Sequence, residues 1–137
     1  MKIKQSTFYC IRLIYRVHKE GNEIITSTEL AQKEGISQGV TLRLLRKLAQ
    51  AGIMNVYHGR GQVCGGFSLA KSIDEITLWE IMNALEGLNI RENLGKGTWL
   101  QKETMFRVCS SINEQIKEMF NKCTIRNLFE PNEVMSP

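Results

Sequence analysis

Between Gly35 and Ile73 the 137-residue chain contains no aspartate and no glutamate, although that stretch carries Arg43, Arg46, Lys47, His58, Arg60 and Lys71. An acid-free basic stretch suits a polyanionic partner such as nucleic acid. Nowhere is there a run of roughly 18 uninterrupted apolar residues, the length needed to cross a bilayer. The start Met1-Lys2-Ile3-Lys4 leads into an amphipathic segment and not into an export-type apolar run. The expectation is therefore a soluble, cytoplasmic protein with no membrane partner. The cysteines Cys10, Cys64, Cys109 and Cys123 lie far apart, with no C-x-x-C pair and no neighbouring His at ligand spacing. That spacing argues against structural zinc, and without an export signal it argues against a disulfide framework. There is no P-loop, H-E-x-x-H or dinucleotide fingerprint, and His18 and His58 stand in no catalytic pattern with Ser, Cys or carboxylate. The chain is accordingly not read as an enzyme.

What is present is an uneven charge distribution. The formal net charge is +4, but residues 1–71 hold eleven Lys and Arg against four Glu, a balance of +7, and the remainder balances to −3. With 42% hydrophobic residues the chain has enough apolar material for one core.

Apolar periodicity divides the chain into a simple order of elements. From Ser6 to Lys19, Phe8, Ile11, Leu13, Ile14, Tyr15 and Val17 recur near helical spacing, and Gly21-Asn22 stops that helix. A short extended piece, Glu23 to Ile25, precedes Thr26-Ser27-Thr28, in which Thr28 is the expected cap of a second helix, Glu29 to Glu34, ended by Gly35. Ser37 can cap a third helix from Gln38 to Ala51, with Val40, Leu44, Leu45 and Leu48 as its apolar stripe. Residues 53–57 and 66–69 read as an antiparallel hairpin whose tip, 58–65, is rich in glycine. A fourth helix starts at Asp74 or Thr77 and ends at Gly87, and residues 88–98 form a loop. A long amphipathic helix follows from Trp99 to about Lys122, then a short turn from Thr124 to Phe129 and a frayed tail from Pro131.

The predicted fold is mainly α with a small β-hairpin wing, that is, a winged helix-turn-helix followed by a long C-terminal dimerisation helix. The expected boundaries are 1–73 for the DNA-binding region, 74–130 for the linker and dimerisation region, and 131–137 for the tail. Two helices joined by Gly35-Ile36-Ser37 and followed at once by a basic-tipped hairpin make this arrangement. The second helix packs across the third through Leu30, Ala31, Ile36, Leu44 and Leu48. The opposite face of the third then meets a DNA groove about 12 Å wide. Ser37, Gln38, Gly39, Thr41 and Arg43 lie at that end, Gln38 suited to adenine and Arg43 to guanine or phosphate. Lys47, like Arg46, is expected on the DNA backbone, and Thr28 adjoins the same end. His58, Arg60 and Gln62 at the hairpin tip suit minor-groove or phosphate contact. Lys4, Gln5 and Ser6 are candidate phosphate clamps.

The runs GISQGVTLRLLRKLAQAGIM and GGFSLAKSIDEITLWEIMNALEG resemble the IscR, NsrR and CymR family of winged-helix regulators, and the order of elements agrees over residues 1–129. The resemblance implies a homodimer whose long C-terminal helices cross, binding a partly palindromic double-stranded DNA operator near a promoter. Members that carry an iron–sulfur cluster have three closely spaced cysteines before the long helix, whereas residues 88–104 here hold none. The usual ligand triplet is absent, so no cofactor is expected. The hairpin tip also departs from the family, reading Gln62-Val63-Cys64 in place of a compact glycine-rich turn. Three other readings stay open. Cys10 and Cys109 could meet across a dimer to bind a metal or sense oxidants. The winged helix could be a protein-interaction module that touches no nucleic acid. A small-molecule effector could lodge at loop 88–98, beside Trp79, Trp99, Met82 and Met105, although those four are more simply read as core.

Overall fold

The computed structural model describes residues 3–59, 65–86 and 99–130. Helix α1, Gln5–Lys19, buries Thr7, Cys10, Ile11, Leu13, Ile14 and Val17, a set spaced by three and four residues that puts one stripe inward. The chain then turns through Gly21 and Asn22, both at positive φ. Asn22 fits because its side chain does structural work there: its Oδ1 accepts from the Leu69 N–H at 2.7 Å and ties this turn to the hairpin.

Helix α2, Ser27–Glu34, is capped by Thr26, whose hydroxyl accepts from the Glu29 N–H at 3.1 Å. The expected cap, Thr28, lies instead inside the first turn. The extended backbone at Thr26 (φ −76°, ψ 155°) sets the helix start two residues earlier than the hydroxyl cluster alone implies. Gly35, at φ 66°, takes the left-handed conformation that ends α2. Helix α3, Gln38–Gln50, follows α2 after Gly35, Ile36 and Ser37, with Ser37 accepting from the Val40 N–H at 3.4 Å.

Strands β1, Met54–Tyr57, and β2, Gly66–Leu69, pair antiparallel with Met54 opposite Leu69 and Tyr57 opposite Gly66. The extended piece before α2 joins them: Ile25 and Phe67 exchange both backbone hydrogen bonds, at 3.0 and 2.8 Å. The wing is thereby anchored to the start of the helix pair and does not hang from α3 alone.

Helix α4, Leu78–Glu86, is capped by Thr77, whose hydroxyl accepts from the Glu80 N–H at 3.3 Å. Helix α5 runs Trp99–Asn121 and helix α6 Ile125–Phe129, capped by Thr124. The chain returns after α5 to the start of α4, where the Leu78 N–H donates to the Cys123 carbonyl and the Ile125 N–H to the Ile76 carbonyl. Ile125 is fully buried in the same core as Leu13, Leu44, Leu48, Ile76 and Ile81. Phe129 stacks on Tyr15 of α1, ring centroids 3.9 Å apart and planes parallel to within 1°. The C-terminal segment is thus welded to the N-terminal helices.

Helix α5 is the exception to this packing. No residue from Glu103 to Asn121 is buried, and Met105, Val108, Ile112 and Met119 stand 42–64% exposed. Of the tryptophan and methionine cluster expected as core, Met82 is fully buried, but Met105 is not part of it. Among the described residues, no helix is long and apolar enough to cross a membrane.

Candidate nucleic-acid interface

The outer face of α3 follows from its inner one. Thr41, Leu44, Leu45 and Leu48 are buried against α1 and α2, so Gly39, Leu42, Arg43, Arg46, Lys47 and Gln50 line a shallow depression on the opposite side. A larger groove of about 650 Å³ adjoins it, walled by Thr26 to Glu29 of the α2 start, by Leu42 and Arg46, and by Val56 to Gly59 and Gly65 to Phe67 of the hairpin. Leu42 and Arg46 line both, so the helix face and the wing form one continuous surface.

The cations on this surface differ from Arg12, Arg16, Lys33 and Lys71. Arg12 and Arg16 both bond Glu34, Lys33 pairs with Glu20 at 2.7 Å, and Lys71 pairs with Glu80 at 2.9 Å. Arg43 and Arg46, both exposed, and half-buried Lys47 form no ion pair among the described residues. A cation without an internal partner keeps its charge for an external anion. At the α3 N-terminus, the N–H groups of Gln38 and Gly39 have no carbonyl one turn back, and Ser37 takes only that of Val40. That end is an anion acceptor beside the cations.

Of the residues expected to contact DNA, exposed Gly39 and Arg43 and half-buried Lys47 line this surface, and Ser37 and Gln38 are exposed at the adjoining start of α3 without lining either depression. Thr28 and Gln38 are brought together, the Gln38 Nε2 donating to the Thr28 Oγ1 at 2.7 Å. His58 is exposed where β1 runs into the hairpin tip, while Arg60 and Gln62 lie outside the described residues. Lys4 and Gln5 are exposed and Ser6 is half-buried at the start of α1, and none of the three lines the groove. Thr41 is corrected: it is fully buried and leads the inward stripe, one residue on from Val40, which is only half-buried. Its spacing to Leu44, Leu45 and Leu48 is the i, i+3, i+4, i+7 pattern, so a polar residue occupies an inward helical position.

Leu42 and Tyr57 were not singled out from the sequence as site residues, and Arg46 was expected only on the DNA backbone. Arg46 carried a signal, since it lies three positions from Arg43 and so on the same helix side. Tyr57 depended on hairpin register: it stands 41% exposed on the groove wall, its hydroxyl accepting from Ser68 at 3.1 Å.

Cys10 is fully enclosed in the core. Burial pushes its thiol up to about 12, with Arg43 and Lys47 pulling weakly the other way. A thiol so enclosed cannot meet a partner chain's Cys109, and it is not the thiolate that metal binding or oxidation requires.

An α2–α3 pair whose second helix presents unpaired cations beside a two-stranded wing defines the winged helix-turn-helix class. The chain belongs to the Rrf2 family, described as iron-dependent transcriptional regulators, whose model it matches over residues 3–131. Two curated relatives are Protein aau3 of Rhizobium meliloti, 27% identical over 63% of this chain and 54% of the relative, and the HTH-type transcriptional regulator IscR of Cereibacter sphaeroides, 35% identical over 50% of this chain and 42% of the relative. The matched segment thus spans about half the length of these relatives. Among solved structures, CymR, the global cysteine regulator of B. subtilis, superposes with a TM-score of 0.66 at 22% identity, covering 97% of this chain and 99% of that one. IscR of T. potens superposes at 0.63 with 21% identity, covering 100% of this chain and 93% of that one. These likenesses establish the winged-helix fold. The family is one of regulators and not of enzymes.

Among the described residues the iron in the family description finds no matching donor set. Among the described residues no three His, Cys, Asp or Glu cluster as metal ligands. Residues 88–104 contain no cysteine, and Cys10 is sealed in the core. The described residues, with no cysteine triplet before α5, do not fit a cysteine-ligated cluster of the usual kind.

Proposed function

We propose that this protein is a sequence-specific regulator of transcription that binds a partly palindromic double-stranded operator as a homodimer. Residues 1–73 meet the DNA and 74–130 the second copy. The observation that carries this reading is the unpaired cation row Arg43, Arg46 and Lys47 on the outer face of α3, continuous with the wing groove. Helix α3 enters the major groove with its N-terminal turn toward base edges, and the wing reaches the adjoining backbone or minor groove. The second copy docks on α5, where Met105, Val108, Ile112 and Met119 repeat at three, four and seven residues and form one exposed apolar stripe. The regulator works without a cysteine-ligated cluster. Protein purified without oxygen is expected to be colourless and free of iron, and to bind DNA all the same.

Selection of bound fragments from random duplex DNA tests the reading, followed by titration of the best fragment across salt. Binding through several phosphates loses about 0.9 log units of affinity per contact per log of salt. A flat salt response would instead indicate a protein-interaction module.

A further inference from the structure

The first residue of α3 is not free. Gln38, exposed at the tip of the helix that faces the groove, donates from Nε2 to the hydroxyl of Thr28, which comes from α2 and is itself exposed on the groove wall. At 2.7 Å this is a short, well-made bond across the turn between the two helices. It rests on a rigid base, since Leu30, Ala31, Leu44 and Leu48, which pack the two helices together, are all buried.

We infer that Thr28 is a specificity-determining positioning residue, whose hydroxyl holds the Gln38 carboxamide in the orientation that selects adenine. The inference rests on the DNA-binding reading above. A carboxamide carries two N–H donors and one carbonyl oxygen with two lone pairs. The bond to Thr28 uses one N–H and leaves one N–H and the whole oxygen without a partner among the described residues, on an exposed side chain. That pair matches the major-groove edge of adenine, which offers an N7 acceptor beside an N6 amino donor. Guanine offers two acceptors there, so the amide oxygen of a held Gln38 would face O6 without a proton between them. A glutamine free to rotate could turn its nitrogen toward guanine and lose the distinction. The contribution of Thr28 is therefore to discrimination and not to general affinity.

The experiment compares wild type, Thr28→Val, Thr28→Ser, Gln38→Ala and the Thr28→Val/Gln38→Ala pair. Each is titrated with a duplex selected from random DNA, with its single-base variants and with unrelated duplex. Wild type is expected to prefer adenine at one position of each half-site by roughly tenfold. Gln38→Ala removes that preference. Thr28→Val reduces it to about threefold or less with binding to unrelated duplex unchanged, Thr28→Ser keeps it, and Thr28→Val adds nothing once Gln38 is gone. A Thr28→Val protein that keeps the full adenine preference overturns the inference, as does one that loses affinity equally for every duplex, which marks a structural role. In both cases steep salt dependence in wild type leaves the DNA-binding reading standing. If wild type binds no duplex at all, both fall.

Discussion

Thr41 and Cys10 illustrate how a single position can carry chemistry that its neighbours silence. The Thr41 hydroxyl is buried with no hydrogen-bond partner among the described residues. An unsatisfied buried hydroxyl is a cost to the folded state, and valine has the same shape without it. Thr41→Val is expected to raise stability by up to about 1 kcal/mol in urea denaturation, with DNA affinity unchanged. A variant of full stability but impaired binding would return Thr41 to the interface. For Cys10, the folded thiol near 12 lies above its ordinary value of 9.0. Below about pH 9 both folded and unfolded states keep the proton. Between there and about 12 only the unfolded chain ionises, so stability falls as pH rises. Thermal melts from pH 8 to 10.5 should show this fall, and Cys10→Ala should flatten it. The same burial predicts that Cys10 resists iodoacetamide until the protein is unfolded.

At the scale of elements, the α2–α3 pair was largely legible in advance because its signals are local. A glycine between two amphipathic segments, with a serine directly after, dictates a left-handed stop and a new cap whatever lies around it. Gly35 is the sharpest case: a Cβ there would touch nothing within 4 Å, so only its φ of 66° penalises a side chain. Gly35→Ala is expected to cost about 1–2 kcal/mol, read as a lower denaturation midpoint. No loss would mean the turn relaxes to another conformation at no cost. The starts of α2 and α3 were less evenly legible. Three consecutive hydroxyl residues can all cap, and the choice of Thr26 over Thr28 is coupled to the Ile25–Phe67 bridge that holds Ile25 extended. Helix α5 carries its own test. Val108→Glu with Ile112→Glu leaves the core untouched, since neither residue enters it. Sedimentation should show a folded monomer whose operator affinity is reduced by far more than either substitution could cause at the DNA surface. A stable dimer would place the second copy elsewhere.

For the whole molecule, the consequence that matters is where charge ends up. A net charge of +4 is modest, yet acids pair off Arg12, Arg16 and Lys33 of α1 and α2 while Arg43, Arg46 and Lys47 of α3 stay unpaired among the described residues. Arg46→Ala is expected to weaken binding to specific and unrelated duplex alike and to reduce the salt slope by about one contact. Arg43→Ala should cost about 1–3 kcal/mol more on the selected sequence than on others if it reads a base. Fluorescence anisotropy on both duplexes separates the two. Two copies joined through α5 should also leave a mark on the DNA, as half-sites centred about 34 Å apart or a multiple of it.

The order of helices, the hairpin and the basic bias of the third helix follow from the amino-acid order alone, because spacing by two or by three and four residues and the demands of caps act within a few positions, whereas the start of α2 at Thr26 did not. Which side of each helix ended up outside did not. Thr41 turns inward beside Val40, which is only half-buried, Arg46 becomes the residue shared by helix face and wing, and Cys10 is closed off. Those outcomes depend on how α1, α2 and the wing pack on α3, and packing joins residues that no local pattern relates.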